Sequence, residues 1–205
     1  MAKLTNTSFT ILGVLARGPW SAYELTKHIR KSALQTVWPR TESRIYLELK
    51  NLVNHNLATS RREKQGGRLR SIYRITPKGR SSLSEWLEGT EGRIRLESEP
   101  LLKILLSGAN PPALDNQLQY LAAQLESDIE ALHAALRLMI ATNFATVGHL
   151  QYNALLLPLL VDHIEIWNDW LAKVQSEGGN ALPSVEEARE VYSQQADRLR
   201  ALCGT

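Results

Sequence analysis

A change in hydrophobic spacing after Asn56 limits what the first 90 residues can fold into. Before it, apolar residues recur at helical spacing, starting with a segment at Ser8–Ala16 that Arg17-Gly18-Pro19 ends. After it, two short runs rich in β-branched, aromatic and basic residues flank Gly66-Gly67, which is typical of a β-hairpin. The sequence therefore predicts helices first and a hairpin second.

The start of the second helix is defined by a side-chain cap. Ser21 is followed three residues later by Glu24, which is the pattern of a capping box. Trp20 precedes the cap and can pack on Leu25 as a hydrophobic staple. The spacing of apolar residues carries this helix to about Ala33.

The third helix is predicted to begin at the cap residue Thr41 and to end at His55. Trp38-Pro39 separates it from the second helix, because proline disfavours helix at the residue before it. Asn56 follows the helix and tolerates the left-handed conformation that often ends helices. The buried stripe of the helix is expected to consist of Ile45, Leu49 and Leu52.

The predicted hairpin consists of Leu57–Lys64 and Leu69–Ile75. Thr76 then caps a fourth helix that has Pro77 in its first turn, where a missing N–H group is tolerated. Three helices, a hairpin and a fourth helix within residues 1–90 describe a winged helix-turn-helix domain. The fold class is therefore mainly α with a small β-hairpin.

The distribution of charge divides the chain into two parts. Residues 1–90 hold 16 Lys and Arg against 6 Glu, a net charge of +10, whereas residues 91–205 hold 8 Lys and Arg against 15 Asp and Glu, a net charge of −7. Such asymmetry indicates that the first part meets a polyanion and the second does not. The alternative is a basic face that is merely solvated.

The acidic part is predicted to form a helical dimerisation domain over residues 91–205. One long helix carries a coiled-coil-like seam, and another carries apolar residues at sevens from Leu150 and ends at Gly178-Gly179. Ser184 and Glu187 form the capping box of a last helix. The seam consists of Leu114, Leu118, Leu121, Leu125, Ile129, Leu132, Leu136 and Met139.

Dimerisation is expected because helix-turn-helix dimers read two half-sites about 34 Å apart, so their recognition helices must be held at a fixed separation. The long amphipathic helices of the acidic part have more apolar surface than one small domain needs, and they can pack against a second subunit. A purely intramolecular bundle is the alternative.

The third helix is expected to carry the contacts to DNA, because the second helix of a helix-turn-helix enters the major groove. With the apolar stripe turned inward, polar and basic residues point outward or lie on the flanks. Arginine suits guanine, and Leu47 can lie against a thymine methyl group. Any of these positions can instead be an ordinary exposed helix residue. The candidates are Thr41, Ser43, Arg44, Tyr46, Leu47 and Lys50.

The hairpin adds basic residues around its glycine pair, and contact with phosphates is their natural role, since such contacts supply affinity without sequence information. Tyr73 is expected to be half-buried rather than to face DNA. The candidate phosphate contacts are Arg61, Lys64, Arg68 and Arg70, with Arg62 beside them.

Three stretches make the sequence resemble a known family of bacterial regulators, the PadR family. ILGVLARGPWSAYELTKHI, VWPRTESRIYLELKNLVNHNLA and RLRSIYRITPKGRSSLSEWL match the family in order, spacing and residue type over about the first 90 residues. The acidic remainder resembles the helical region of the longer, virulence-activator-like branch. Arg44, Asn56 and Ala22 depart from the residues that are common in the family. Because Arg44 stands where glutamine is common in the family, no operator sequence is carried over from the family to this chain.

The resemblance implies a DNA-binding homodimer on a palindromic operator, usually a repressor, often released by a small aromatic or hydrophobic effector. Trp167 and Trp170, with His163 one turn earlier, are candidates for the effector site, since aromatic walls and a polar group suit flat phenolic ligands. Ordinary core or dimer packing explains the same three residues equally simply.

Other classes of function find little support in the sequence. It has no phosphate-binding glycine loop, no nucleophile elbow and no paired-histidine metal motif, so we expect no enzyme, no cofactor and no metal site. No apolar run of about 20 residues and no signal peptide are present, so no membrane partner and a cytoplasmic location are expected. The alternative function is a winged helix that binds a protein partner instead of DNA.

Overall fold

The computed structural model describes residues 4–65, 68–92, 94, 96–143, 150–176 and 182–203, with only the backbone of Ala33, Thr36, Gln65 and Arg68. The chain divides into two compact units, Met1–Arg95 and Leu96–Thr205. The architecture is mainly α with a small antiparallel sheet, as predicted.

The first unit contains five helices and three strands among its described residues. In chain order they are α1 (Asn6–Leu15), β1 (Trp20–Ser21), α2 (Ala22–Arg30), α3 (Ala33–Val37), α4 (Glu42–Asn54), β2 (Ala58–Gln65), β3 (Arg68–Ile75) and α5 (Pro77–Glu88).

Helix α1 begins two residues earlier than predicted because Thr5 caps it. The Thr5 hydroxyl accepts a hydrogen bond from the Ser8 N–H, and the Ser8 side chain accepts one from the Thr5 N–H at 2.9 Å. This reciprocal pair is a capping box in which serine takes the place of the usual glutamate or glutamine.

The capping box of α2 is confirmed. The Ser21 hydroxyl accepts from the Glu24 N–H at 3.3 Å, and the Glu24 carboxylate accepts from the Ser21 N–H at 3.2 Å. The predicted end at Ala33 is wrong, because α2 stops at Arg30 and the separate helix α3 follows. The Ser32 hydroxyl donates to the Ile29 carbonyl at 3.0 Å, a side-chain bond that competes with continuation of the helix.

Helix α4 follows the prediction closely. Thr41 is its N-cap, and Ile45, Leu49 and Leu52 are at most 1% exposed. Asn56 has φ of 58°, which is the left-handed conformation expected after the helix.

The sheet has the strand order β1-β3-β2, and both pairs are antiparallel. The register of the hairpin runs from Ala58 opposite Ile75 to Gln65 opposite Arg68. Strand β1 was not predicted, because two residues carry no periodicity. It forms where Ser21 meets Ile72 of β3.

Helix α5 is packed closely against the start of the hairpin. Thr76 caps it, and Pro77 occupies its first turn as predicted. A Cβ atom added at Gly79 would lie 2.1 Å from the Leu57 carbonyl oxygen, so only glycine allows this approach. The ring of Trp86 stacks on Phe9 of α1, with 4.7 Å between the ring centroids.

The second unit is helical. Its described elements are α6 (Glu99–Leu106), a 3-10 turn at Ser107–Ala109, α7 (Ala113–Ala141), α8 (Leu150–Ser176) and α9 (Val185–Cys203). The predicted capping box before α9 is confirmed, since Ser184 N–H donates to Glu187 at 2.8 Å and Glu187 N–H donates to Ser184 at 3.2 Å. The predicted helix end at Gly178-Gly179 lies outside the described residues.

Few apolar side chains of this unit are fully buried. Among its described residues the buried ones are Leu118, Leu121 and Leu171. Many leucines and aromatic residues of α6, α8 and α9 are largely exposed instead. No described helix has both the length and the apolar character to cross a membrane.

Candidate nucleic-acid interface

Helix α4 has one apolar and one solvent-facing side. Its apolar stripe packs into the core of the first unit, whereas Tyr46, Leu47 and Lys50, which lie between the stripe positions, are exposed. Tyr46 is 38% and Leu47 is 49% exposed, so both present apolar surface to solvent. The exposed residues of α4 and its cap are Thr41, Glu42, Ser43, Arg44, Tyr46, Leu47, Lys50 and Asn54, and they include all six positions predicted from the sequence.

The N-terminus of α4 is polar and ordered. The Thr41 hydroxyl accepts from the Arg44 N–H at 3.4 Å and lies 3.1 Å from the Ser43 hydroxyl. The free N–H groups of a helix start, together with the helix dipole, favour an anion at this end. Thr41 itself serves mainly as the cap, and Ser43 and Arg44 are the side chains that extend beyond it.

Two arginines near this helix start were missed by the sequence analysis. The Arg40 guanidinium lies 4.3 Å from the centroid of the Trp38 ring, a cation–π geometry that fixes its position. Arg30 of α2 forms an ion pair with Glu42 in the first turn of α4. Both arise from the folding of the segment between α2 and α4, which contains α3, and sequence spacing does not reveal this.

The basic residues of the hairpin are not equivalent. Arg61, Arg62 and Lys64 are exposed. Arg70 is half-buried, and its guanidinium lies 3.6 Å from the Glu24 carboxylate, within the first turn of α2. Its charge is therefore partly neutralised within the chain. The side chain of Arg68 lies outside the described residues.

A second internal ion pair reduces the charge of the hairpin. Arg74 donates two hydrogen bonds to Glu63, at 2.6 and 3.2 Å. This hydrogen bonding lowers the pKa of Glu63 and raises the pKa of Arg74. Arg61 lowers the pKa of Glu63 further through its positive charge. Glu63 thus stays ionised and holds Arg74 along the strand.

Two further side chains define how the hairpin and α4 meet the core. Tyr73 is half-buried and packs against the core cluster, as predicted. Glu48 of α4 is 4% exposed, although glutamate is normally a surface residue, and its side-chain oxygen accepts a hydrogen bond from the Ser8 hydroxyl. This buried pair was not predicted from the sequence.

The candidate effector residues form a connected row on α8. The Trp167 indole N–H donates to the His163 ring nitrogen at 2.9 Å, and the Trp167 and Trp170 rings meet edge-on with centroids 6.3 Å apart. His163 and Trp170 are exposed, and Trp167 is half-buried. A groove between α7 and α8 lies beside this row but is lined by other residues.

Comparison with known proteins finds a family match within the first unit. The Transcriptional regulator PadR-like family matches residues 11–85. The negative transcriptional regulator PadR of Bacillus subtilis (strain 168) is 36% identical over 80 residues, which are 38% of this chain and 43% of that protein. The chain therefore aligns with less than half of this relative's length.

Solved structures extend the similarity of fold to most of the chain. Bacillus subtilis PadR in complex with operator DNA has a TM-score of 0.69 at 21% identity, covering 86% of this chain and 99% of that one. The same protein in complex with p-coumaric acid has a TM-score of 0.54 at 19% identity, covering 82% and 91%. The Vibrio cholerae virulence activator AphA has a TM-score of 0.58 at 21% identity, covering 83% and 96%.

Proposed function

The chain belongs to the PadR-like family of transcriptional regulators through its winged-helix domain, and from this we propose that it binds a palindromic operator as a homodimer and represses transcription until a small aromatic or hydrophobic effector releases it. The family consists of transcriptional regulators rather than enzymes, in agreement with the sequence analysis.

The proposal of DNA binding rests on α4, which has one buried apolar side and one exposed side. The apolar side is fixed in the core, so the opposite side presents a constant set of groups to solvent. In a winged helix-turn-helix this side faces the major groove. Arg44 then reads a guanine edge, Leu47 contacts a thymine methyl group, and Ser43, Tyr46 and Lys50 contact base edges or phosphates.

The hairpin supplies contacts to the phosphate backbone in this proposal. Arg61 and Lys64 are exposed, and neither forms an ion pair within the part of the chain that the structure describes. Arg68 at the start of β3 is a further candidate. Arg70 contributes less, because Glu24 already offsets its charge. Each phosphate contact steepens the dependence of log K on log salt by about 0.9.

Exposed apolar surface in the second unit supports dimerisation. Leu155 and Leu159 are 75% and 63% exposed, one turn apart on α8. Tyr192 and Leu199 of α9 are 79% and 63% exposed. Surface of this kind, repeated along two helices, is typical of an interface between subunits.

Repression and release are proposed from the relatives. One relative is named a negative transcriptional regulator, and its structure in complex with p-coumaric acid shares the fold of this chain. His163, Trp167 and Trp170 remain our candidates for an aromatic effector. Binding in the second unit would change the separation or mobility of the two DNA-reading domains.

A DNA-binding experiment tests the central proposal. Selection from a random duplex library with the full-length protein should enrich a palindrome whose half-sites lie about 10 base pairs apart. Fluorescence anisotropy with the enriched and a scrambled duplex should then show binding that weakens steeply between low and physiological salt. A winged helix that binds only a protein partner would show no salt-sensitive binding to either duplex.

A further inference from the structure

A groove between α7 and α8 has the dimensions of a small-molecule site. Its volume is about 450 Å³, and ligand pockets generally span about 300–1,000 Å³. Leu132 and Leu136 of α7 and Val161 and Ile164 of α8 are half-buried and form its floor. The floor is therefore apolar, and the volume is sufficient for an aromatic ring or a short hydrocarbon chain.

The rim of the groove is polar and acidic. Glu165 and Asp169 lie one turn apart on α8 and are both exposed, with Asn168 beside them and His133 facing them from α7. No lysine or arginine lines the groove, and within the part of the chain that the structure describes neither carboxylate forms an ion pair. Two uncompensated negative charges thus stand above an apolar floor.

This groove is distinct from the row of His163, Trp167 and Trp170. None of these three residues lines it, and the hydrogen bond between His163 and Trp167 already uses the indole N–H. A ligand in the groove would consequently find its polar partners among the rim carboxylates.

We propose that the groove binds an amphiphilic organic cation, with its apolar part on the floor and its ammonium group between Glu165 and Asp169. A role of this groove as an effector site rests on the proposed function, whereas binding of the cation in the groove does not depend on it. A carboxylate ligand is disfavoured, because it would bring a third negative charge to a rim that has no lysine or arginine. The site therefore selects ligands of the opposite charge to a phenolic acid.

A second copy of this chain is a poorer occupant. An apolar partner surface would cover two carboxylates without neutralising them, and burial of unpaired charge is costly. The acidic part of the chain has a net charge of −7, so a second copy also brings more negative than positive groups. Charge complementarity favours a cation.

Isothermal titration calorimetry on the DNA-free, full-length protein tests the proposal with three probes of equal shape, 4-phenylbutylamine, 4-phenylbutanol and 4-phenylbutyrate. The amine should bind at least about tenfold more tightly than the carboxylate, with the alcohol between them. Equal affinity for all three, or tighter binding of the carboxylate, would overturn the proposal.

Substitutions of the rim residues test whether the preference for the amine arises in this groove. Glu165→Gln and Asp169→Asn should each weaken amine binding about threefold, and the double variant about tenfold, with the alcohol unaffected. Asp162→Asn removes an exposed charge from the same helix outside the groove and should leave amine binding unchanged. A loss of equal size in this control would place the effect in the overall charge of the unit.

A substitution in the floor of the groove distinguishes a ligand site from a subunit interface. Ile164→Ala should weaken the amine and the alcohol alike and leave the oligomeric state unchanged. A change of oligomeric state together with absent amine binding would identify a second copy as the occupant. A separate measurement of DNA affinity distinguishes failure of this inference from failure of the proposed function. Amine binding without DNA binding would contradict only the proposed function. DNA binding without selectivity for the amine would contradict only the present inference.

Discussion

The hydroxyl of Ser8 donates a hydrogen bond to the carboxylate of Glu48, and both side chains are buried where α1 meets α4. Glu48 also accepts from the Asn51 amide at 3.4 Å. The pair lies on the buried side of α4, which also carries Ile45, Leu49 and Leu52. It therefore fixes the rotation of α4 about its axis, because a turned helix would leave a buried carboxylate without its donor.

Glu48→Ala should destabilise the protein by about 2–4 kcal/mol, since it removes buried volume and leaves the Ser8 hydroxyl without its acceptor. Glu48→Gln keeps an acceptor oxygen and should cost about 1 kcal/mol. Urea unfolding of the full-length protein measures both. Glu85→Ala, at an exposed position of α5, is the control and should change stability by less than about 0.5 kcal/mol. If Glu48→Ala changed stability as little as the control does, the proposed structural role of Glu48 would be wrong.

Two glycine substitutions should have opposite effects. At Gly79 an added Cβ would lie 2.1 Å from the Leu57 carbonyl oxygen, so Gly79→Ala must separate α5 from the hairpin. We expect a loss of about 3 kcal/mol, as for overpacked sites. At Gly13, inside α1, nothing lies within 4 Å of the added atom. Gly13→Ala should stabilise by up to about 1 kcal/mol. Thermal unfolding measures Tm of both variants. A shift of Tm in the same direction for both would contradict the close packing described at Gly79 and the open space at Gly13.

Arg44 and Lys64 should affect DNA binding in different ways. Arg44→Ala should relax sequence preference, because a guanine contact of this kind contributes about 1–3 kcal/mol of discrimination. Lys64→Ala should weaken binding to all sequences alike and reduce the salt slope by about 0.9. Anisotropy titrations on matched and scrambled duplexes at several salt concentrations measure both quantities.

Arg70→Ala provides the comparison within the hairpin. Because Glu24 lies 3.6 Å from the Arg70 guanidinium, we expect a smaller change in salt slope than for Lys64→Ala. If Arg44→Ala and Lys64→Ala reduced discrimination between DNA sequences equally, the division between base contacts and phosphate contacts would be wrong.

The stability of the first unit should fall as the pH is lowered below about 6.5, through His28. Burial lowers the pKa of His28 from 6.5, and the positive charge of Arg17 lowers it further. The Arg17 guanidinium lies 3.1 Å from a His28 ring nitrogen, and its N–H donates there when the ring is neutral. The unfolded chain therefore takes up a proton at higher pH than the folded one, which favours unfolding as the pH falls.

His28→Gln should flatten this part of the pH dependence. Tm at pH 7.5 and at pH 5.5 should differ less in the variant than in the unchanged protein. If the two proteins lose the same stability between these pH values, another group is responsible.

Leu155→Glu combined with Leu159→Glu should disrupt the proposed dimer, because it places charge on two exposed apolar positions one turn apart. Sedimentation analysis should show monomers, and affinity for the operator should fall about tenfold or more, since a monomer contacts one half-site. Gln151→Glu, on an exposed polar position of α8, should leave the dimer intact. A dimeric double variant would move the interface elsewhere.

The features that sequence predicted correctly are those that depend on near neighbours. The caps at Ser21 and Thr41 and the left-handed Asn56 follow from residues at most three positions away. The inward stripe of α4 follows from its period. Glu48 was not found because a glutamate in an amphipathic helix is normally exposed, and only α1 supplies its partner.

The candidate site divides in the same way. The exposed side of α4 could be derived from periodicity alone. The pairing of Arg70 with Glu24 could not, because the residues are 46 positions apart in the sequence and meet only when β1 joins β3. The groove between α7 and α8 also escaped prediction, since its two walls come from separate helices.

Ser21 belongs to two elements at once, because it pairs with Ile72 in the sheet and caps α2. The third residue of α2, Glu24, reaches back to the same strand through Arg70. The hairpin and α2 are thus joined by backbone hydrogen bonds and an ion pair at one point. A force applied at the hairpin tip would reach the start of α2 along this connection without first deforming the apolar core.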